Sequence, residues 1–399
     1  MIPTRNRCVY AVHSIRNALG SASPALEVVV HDNSSDDGLE RYVREQFHDP
    51  RLRYYHECER LSVAENFERA TTLARGEYVA SVGDDDGVNP EIIDAALWAQ
   101  EEGMDAIVPT IPAQYWWPDF RHRHYGRSFS GSLVVRPFSG LVTLPAAEDQ
   151  LRRCVRQAGQ GGFGVLPGVY YGIVRRACLE RVKARAGMFF PGPSPDIAGA
   201  AAVASFVKRM ARVDYPLFLP GNSSAGGAGM KARKAHLGRL EAQAHLSKDV
   251  VGVWSELVPR FFSMPTIWAE DVIQALRATG RDDLLAEFNF PLLYARCSIF
   301  HPSHLRPIMR SFHKYLSSSK RGRTLSIAQF AWACAFTVGL RARYLARNVI
   351  AGPLHLGTQT VSGLDDIEEA WSSLSENLLR GGWRLRDRLE SAAREMRGS

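Results

Sequence analysis

Two hydrophobic runs early in the chain each end in a cluster of acidic side chains, and that arrangement restricts the fold more than any other feature. Leu26 to His31 (LEVVVH) reads as a continuous buried strand and runs into Asp32-Asn33-Ser34-Ser35-Asp36-Asp37-Gly38; Glu77 to Val82 reads as another and runs into Gly83-Asp84-Asp85-Asp86-Gly87. Between them lie a helical stretch from Leu39 to Phe47, a strand from Arg51 to Tyr55, and a helix opened by Ser62 with Glu65 three residues on, the spacing of a capping box. Asn89-Pro90 starts a further helix. Short apolar strands alternating with helical runs predict an α/β fold with a mostly parallel sheet.

Ligands of such sheets sit outside the carboxyl ends of the strands, where both acidic turns fall. Three consecutive carboxylates repel one another unless a cation relieves them. On an extended segment alternate residues point the same way, so Asp84 and Asp86 are expected to converge on one ion while Asp85 faces elsewhere. Mg²⁺ or Mn²⁺ takes oxygen ligands, commonly one or two carboxylates completed by water and substrate phosphate. The competing reading is an acidic, solvated turn closed by Asp86-Gly87.

Other phosphate chemistries lose ground. No G-x-G-x-x-G follows the early strands and no G-x-x-x-x-G-K-[ST] occurs. At 45% hydrophobic and 23% charged residues the chain is not disordered or fibrous. Its formal charge of +7 suits anionic small molecules or a membrane surface, and no nucleic-acid-binding motif accompanies it. Cys8, Cys58, Cys154, Cys178, Cys297 and Cys334 lie far apart and read as reduced thiols. Met1-Ile2-Pro3-Thr4-Arg5 lacks the apolar core of a secretory signal, so a cytoplasmic protein is expected.

Strands are expected near Asp105 to Val108, Leu133 to Pro137 and Val169 to Val174, and helices around Glu148 to Gln157 and Ile197 to Met210. Pro220 to Met230 is a Gly/Ser-rich loop leading to Lys231, Arg233, Lys234 and His236, after which helical periodicity dominates. The expected division is an α/β domain over 1–235 and a mainly helical region over 236–399, the latter with an acceptor, membrane-surface or oligomerisation role.

Residues Ile2-Pro3-Thr4-Arg5-Asn6-Arg7, Val28 to Asp37, Asn66, Ala74-Arg75-Gly76-Glu77-Tyr78-Val79 and Gly83-Asp84-Asp85-Asp86 resemble, in order and spacing, the signature of the family 2 glycosyltransferases of the GT-A fold. Weaker similarity continues through Gly168 to Arg176 and Ser194-Pro195-Asp196. The resemblance implies transfer of a sugar from a nucleotide diphosphate donor to an acceptor hydroxyl with inversion, the acceptor being a glycan, a lipid-linked species or a small molecule. It also implies that Pro3, Thr4, Arg5 and Asn6 cradle the nucleotide, that Asp32 and Asn66 join them, and that Asp84 and Asp85 bind donor while Asp86, with Asp84, holds the metal. Only Met1 and Ile2 precede the Pro3 segment, where the family has a longer apolar strand; either the strand is short or translation starts upstream.

Inversion needs a base near the acceptor oxygen. Asp196 is the expected base, with an N-cap role as its structural alternative and Glu148-Asp149 as the other acidic pair. Tyr115, Trp116, Trp117, Tyr170 and Tyr171 offer faces for a sugar ring or else pack in the core. Arg121, His122, Arg123 and His124 meet an anionic acceptor or form a solvated loop. The Gly221 to Gly229 segment with Lys231 and Lys234 reads as a lid over the diphosphate or as a linker. Between Phe288 and Leu364 there is no Asp or Glu, whereas Arg296, Arg306, Arg310, Lys314, Lys320, Arg321, Arg323, Arg341, Arg343 and Arg347 are basic. This stretch brackets the apolar run Ile327 to Leu340, and the longer uncharged stretch Thr324 to Leu340 that contains it is expected to be too short to span a bilayer. Two readings follow: peripheral contact with the inner leaflet, or a basic solvated face on a buried helix.

Overall fold

Parallel pairing starts at the first residues. Ile2–Thr4 pairs with Val28–Asp32, which pairs with Leu52–His56, in the register Thr4 opposite Asp32 opposite His56. The three carboxyl ends therefore lie side by side. The computed structural model describes residues 1–122, 126–162, 164–227, 229, 237–319, 322–351 and 357–398. Arg123, His124, Lys231, Arg233, Lys234, His236, Lys320, Arg321 and the Arg347 side chain lie outside the described residues.

The helices that cover this sheet form where their local signals lie. Val63–Leu73 begins at Ser62, whose hydroxyl accepts from Glu65 N while the Glu65 carboxylate accepts from Ser62 N, a complete capping box. Cys8–Leu19 and Gly38–Gln46 follow the first and second strands. The first strand is three residues long, and the half-buried Met1 ammonium donates to the Ala80 carbonyl at 2.8 Å while Val82 N donates to Met1 O at 3.1 Å. Those bonds set Ala80–Val82 beside the first strand and bring the aspartate run to the same edge as Thr4 and Asp32.

A second sheet has the order Tyr78–Val79, Ile173–Arg175, Ala106–Pro109, Met210–Val213, Val142–Thr143. Three boundaries differ from expectation, one being the strand expected over Val169 to Val174, which is regular only at Ile173–Arg175. The strand expected over Glu77 to Val82 is regular only at Tyr78–Val79, because the backbone leaves the sheet to make the turn that carries the aspartates. The helix expected to reach Met210 is Pro195–Ala204, and Met210 opens a strand that pairs in parallel with Ala106–Pro109.

Residues 236–399 are mainly helical, yet they divide between two cores. Met264–Thr279, Phe290–Phe300 and Leu305–Ser318 pack with Ala147–Arg156, Arg176–Ala186 and Pro195–Ala204. The last forty residues return to the amino-terminal sheets: Gln359–Ser362 pairs antiparallel with Ser132–Val135, and Ile367, Ala370, Leu374, Leu385 and Leu389 are buried against the first core. A boundary at 235 thus does not separate the packing.

The apolar run Ile327 to Leu340 belongs to the 29-residue helix Arg323–Ala351. By length and composition its Arg323–Ala346 portion is sufficient to cross a membrane, and only 17% of its most apolar window is buried. The buried-helix reading is thereby excluded.

Candidate functional site

Asp84, Asp85 and Asp86 are buried to 4%, 6% and 1% exposure in a turn, Asp86 N donating to Gly83 O at 3.3 Å. The turn, not an extended strand, decides where they point. The expected convergence of Asp84 and Asp86 with Asp85 facing away does not occur. Asp84 and Asp85 instead share one guanidinium: Arg7 Nη1 lies 3.0 Å from Asp84 Oδ1 and Arg7 Nη2 lies 2.6 Å from Asp85 Oδ2. Asp86 turns to the opposite side, where Oδ2 accepts from Gly83 N at 2.5 Å and from the Tyr170 hydroxyl at 3.3 Å, and Oδ1 accepts from Gly221 N at 2.8 Å.

Burial, partly offset by Arg7, pushes Asp84 up to about 6; burial and the charge of Asp85 push Asp86 up to about 7. Three buried carboxylates lie in this turn and one guanidinium meets two of them, which leaves excess acidity at the turn among the described residues. That excess and the hard oxygen donors fit a divalent cation.

The other expected donor residues gather around this turn. The Thr4 hydroxyl donates to Asp84 Oδ2 at 2.6 Å. Asn66 Nδ2 donates to Thr4 O at 3.0 Å, while its Oδ1 meets His31 Nδ1 at 2.7 Å. Asp32 accepts from Ser34 N at 2.9 Å and from the Tyr54 hydroxyl at 2.6 Å. Pro3 is buried within the first strand. Arg5 reaches away to donate to Leu61 O at 3.2 Å. Asn6 is exposed and left-handed at φ 53°, with Oδ1 accepting from Ser35 N at 2.9 Å, so it fastens the first strand's exit to the acidic turn after the second. Tyr171, also left-handed at φ 53°, is a rarer case for a bulky side chain and adjoins the Asp86 partner Tyr170.

Asp196 occupies the second position of Pro195–Ala204, whose N-cap is Ser194, so the N-cap alternative does not hold. Its Oδ1 accepts from Ile197 N at 2.8 Å, and burial raises its carboxyl above the ordinary range. Its charge is felt at Tyr170, whose hydroxyl burial, Asp86, Asp85 and Asp196 together raise. The rival acid Glu148 is engaged by Arg152 and Arg281, which lower it.

Residues 1–163 match the family model of Glycosyl transferase family 2. Among solved structures, S. aureus TarS 1-349 in complex with UDP-GlcNAc is 16% identical, with 83% of this chain and 78% of that one covered and a TM-score of 0.45. The mannosyltransferase PcManGT from Pyrobaculum calidifontis in complex with GDP-Man and Mn²⁺ is 18% identical, with 84% and 79% covered and a TM-score of 0.41. No curated protein matches the chain. The architecture is a mixed α/β fold with parallel strands and a helical carboxyl-terminal region.

The carboxylate turn is roofed from far along the chain. Gly221 lies so close that a Cβ there would fall 1.7 Å from the Asp85 carbonyl oxygen. The Ser223 hydroxyl donates to Asp85 Oδ2 at 2.5 Å and accepts from Arg7 Nη2 at 2.6 Å. Trp117 Nε1 donates to Asp85 O at 2.9 Å and so supports the turn; Tyr115 is fully buried against Trp117, at 5.5 Å between ring centroids, and Trp116 is half-buried.

Sequence reasoning assigned no role to Arg7 or Asp271. Asp271, fully buried on Met264–Thr279, accepts from Ser194 N at 2.8 Å and from the Ser194 hydroxyl, and so fixes the start of the helix that carries Asp196. An acidic pair, Glu270-Asp271, inside an otherwise apolar helix was the available signal.

Proposed function

We propose that the protein transfers a sugar from a nucleotide diphosphate donor to an acceptor hydroxyl with inversion, in glycan, cell-envelope or glycoconjugate synthesis. The observation carrying this reading is the buried polar cluster in which the Thr4 hydroxyl bonds Asp84, Asn66 bonds Thr4 O, and Asp84, Asp85 and Asp86 share one turn. Thr4, Asn6 and Asp32 bind the nucleoside and Asp84 its ribose. Asp86 would hold Mg²⁺ or Mn²⁺, which would supply Lewis-acid stabilisation of the departing diphosphate, and Asp84 would join it only on leaving the Arg7 guanidinium that now turns it away from Asp86. Asp196 removes the proton from the acceptor hydroxyl as that oxygen bonds to the anomeric carbon and the bond from this carbon to the diphosphate oxygen breaks, the diphosphate leaving on the opposite face. An acid raised by burial, as Asp196 is, holds that proton better than a solvated aspartate does.

One observation favours a second reading, a protein that binds a nucleotide sugar without turning it over: Arg7 already bridges Asp84 and Asp85, and the Gly221–Ser223 backbone lies across Asp85 and Asp86. Thermal-shift measurements with UDP, GDP, dTDP and CMP, with and without Mn²⁺, followed by turnover assays with the nucleotide sugar of the stabilising class, separate the two. Stabilisation with turnover that Asp196→Asn abolishes supports transfer; stabilisation without turnover supports binding alone, and no stabilisation by any nucleotide removes both.

A further inference from the structure

The helix Arg323–Ala351 is inside out. Its buried stripe is Ser326, Ala333 and Thr337, with Phe330 half-buried in the same row, at the spacing of one helical face, and it packs on Phe290–Phe300. The Thr337 hydroxyl bonds within the helix, to Ala333 O at 2.7 Å, and the Ser326 hydroxyl bonds the segment just before it, Gly322 O at 2.9 Å and Ser319 Oγ at 3.2 Å. The outward arc carries Leu325, Ile327, Trp332, Phe336, Val338 and Leu340, each at least 41% exposed, and Trp332 and Phe336 stack on one another at 5.3 Å. A helix of a water-soluble surface has the reverse polarity. Small and hydroxyl residues toward a neighbouring helix, with large apolar residues outward, is the arrangement a helix adopts where its outer solvent is lipid.

The charges around the arc define the lipid. Arg323 stands at one end and Arg341 and Arg343 toward the other, all exposed, with Arg306 and Arg310 exposed on the adjoining helix Leu305–Ser318. The sequence from Phe288 to Leu364 holds no acid to neutralise them. A second copy of the chain is a poor cover, since two such faces would set arginine rims of like sign together with no carboxylate from this stretch to pair them. An anionic leaflet satisfies both the apolar arc and its cationic rim. Because one face is committed to Phe290–Phe300, the helix lies in the leaflet instead of crossing it.

We infer that the outer face of Arg323–Ala351 is a docking surface for an anionic lipid bilayer, with Trp332 and Phe336 inserted below the headgroups and the arginines at headgroup level. This inference stands independently of the sugar-transfer reading.

The test is sedimentation of the full-length protein with vesicles of phosphatidylcholine alone and of phosphatidylcholine mixed with phosphatidylglycerol, at low and high salt. The wild type is expected to pellet with the anionic vesicles at low salt, less at high salt, and little with the neutral ones. The double variant Trp332→Asp/Phe336→Asp should lose about tenfold or more of the partitioning while melting like the wild type, since both side chains face outward; Arg323→Glu/Arg343→Glu should abolish the preference for the anionic vesicles. Light scattering without lipid should return a monomer. A wild type left in the supernatant with anionic vesicles, a double variant that pellets unchanged, or a wild-type dimer that the double variant dissociates would each overturn the inference, the last in favour of a second copy.

Discussion

Arg7 is the residue on which the acidic turn depends. It is 20% exposed at its side chain, and burial alone would favour its loss of charge, but Asp84 and Asp85 hold it charged, raising it further above its ordinary value. Removing one partner of a buried ion pair leaves the other uncompensated, so Arg7→Ala should destabilise the protein by about 3 kcal/mol. Mn²⁺ should recover more of the melting temperature in Arg7→Ala than in wild type; equal recovery in differential scanning calorimetry would mean that no cation approaches these carboxylates. Asp196 behaves in the opposite sense. Its folded-state pKa is raised, so its contribution to stability is present at acid pH and lost as pH rises through that value. Asp196→Asn should therefore melt no lower than wild type at pH ~8, an advantage that vanishes on acidification toward the ordinary aspartate value. Turnover should fall about 10²- to 10⁴-fold. A side chain that supported only the fold would show the reverse: lower melting and little change in rate.

At the scale of elements, legibility follows sequence distance. The helix Val63–Leu73 was readable because Ser62 and Glu65 act across three residues, and Ser62→Ala should cost about 1 kcal/mol in chemical denaturation. The two acidic turns were readable because hydrophobic runs feed straight into them. The end of Pro195–Ala204 was not: the run from Ala201 through Val213 holds no Gly or Pro, and Lys208, Arg209 and Arg212 fit the solvated side of a continued helix as well as a turn and a strand, so no breaker marks the change. Nor did spacing encode contacts made across the chain, Ser194 with Asp271 at a separation of 77, Gly221 with Asp86 at 135 and Arg7 with Ser223 at 216. The alternation rule misplaced Asp85 because it presumes an extended backbone where the chain turns. The roof over the turn gives the sharpest element-level prediction. Gly221→Ala cannot keep its approach to the Asp85 carbonyl, so Gly221–Ser223 must lift and Asp86 loses a backbone donor. Kinetics should show about a 10²-fold loss of turnover from misplaced site groups, with far-ultraviolet circular dichroism unchanged.

At the scale of the whole molecule, the family-matched stretch and the folding unit are different objects. Residues 1–163 stop short of Ile173–Arg175, the strand that sits between Tyr78–Val79 and Ala106–Pro109 and pairs antiparallel with both. They also lack the Gly221–Ser223 roof and the returning segment. Ile367 abuts Gly87, one residue past the aspartates, and His13 Nδ1 on Cys8–Leu19 meets Glu368 Oε1 at 2.7 Å, so the carboxyl-terminal helix Ile367–Arg380 clasps the helix and turn that carry the site. Separated from these partners, the matched stretch would expose the face that Leu374, Leu378 and Leu385 cover. A fragment of residues 1–163 should consequently melt without a cooperative transition. In the intact chain Leu374→Ala, at a fully buried position, should cost about 2–5 kcal/mol, and because that helix borders the acidic turn, nucleotide binding should weaken in step with the stability. If Leu374→Ala lowered stability while leaving nucleotide affinity at the wild-type value, the returning helices would be a brace for the sheet alone and not part of what holds the site in shape.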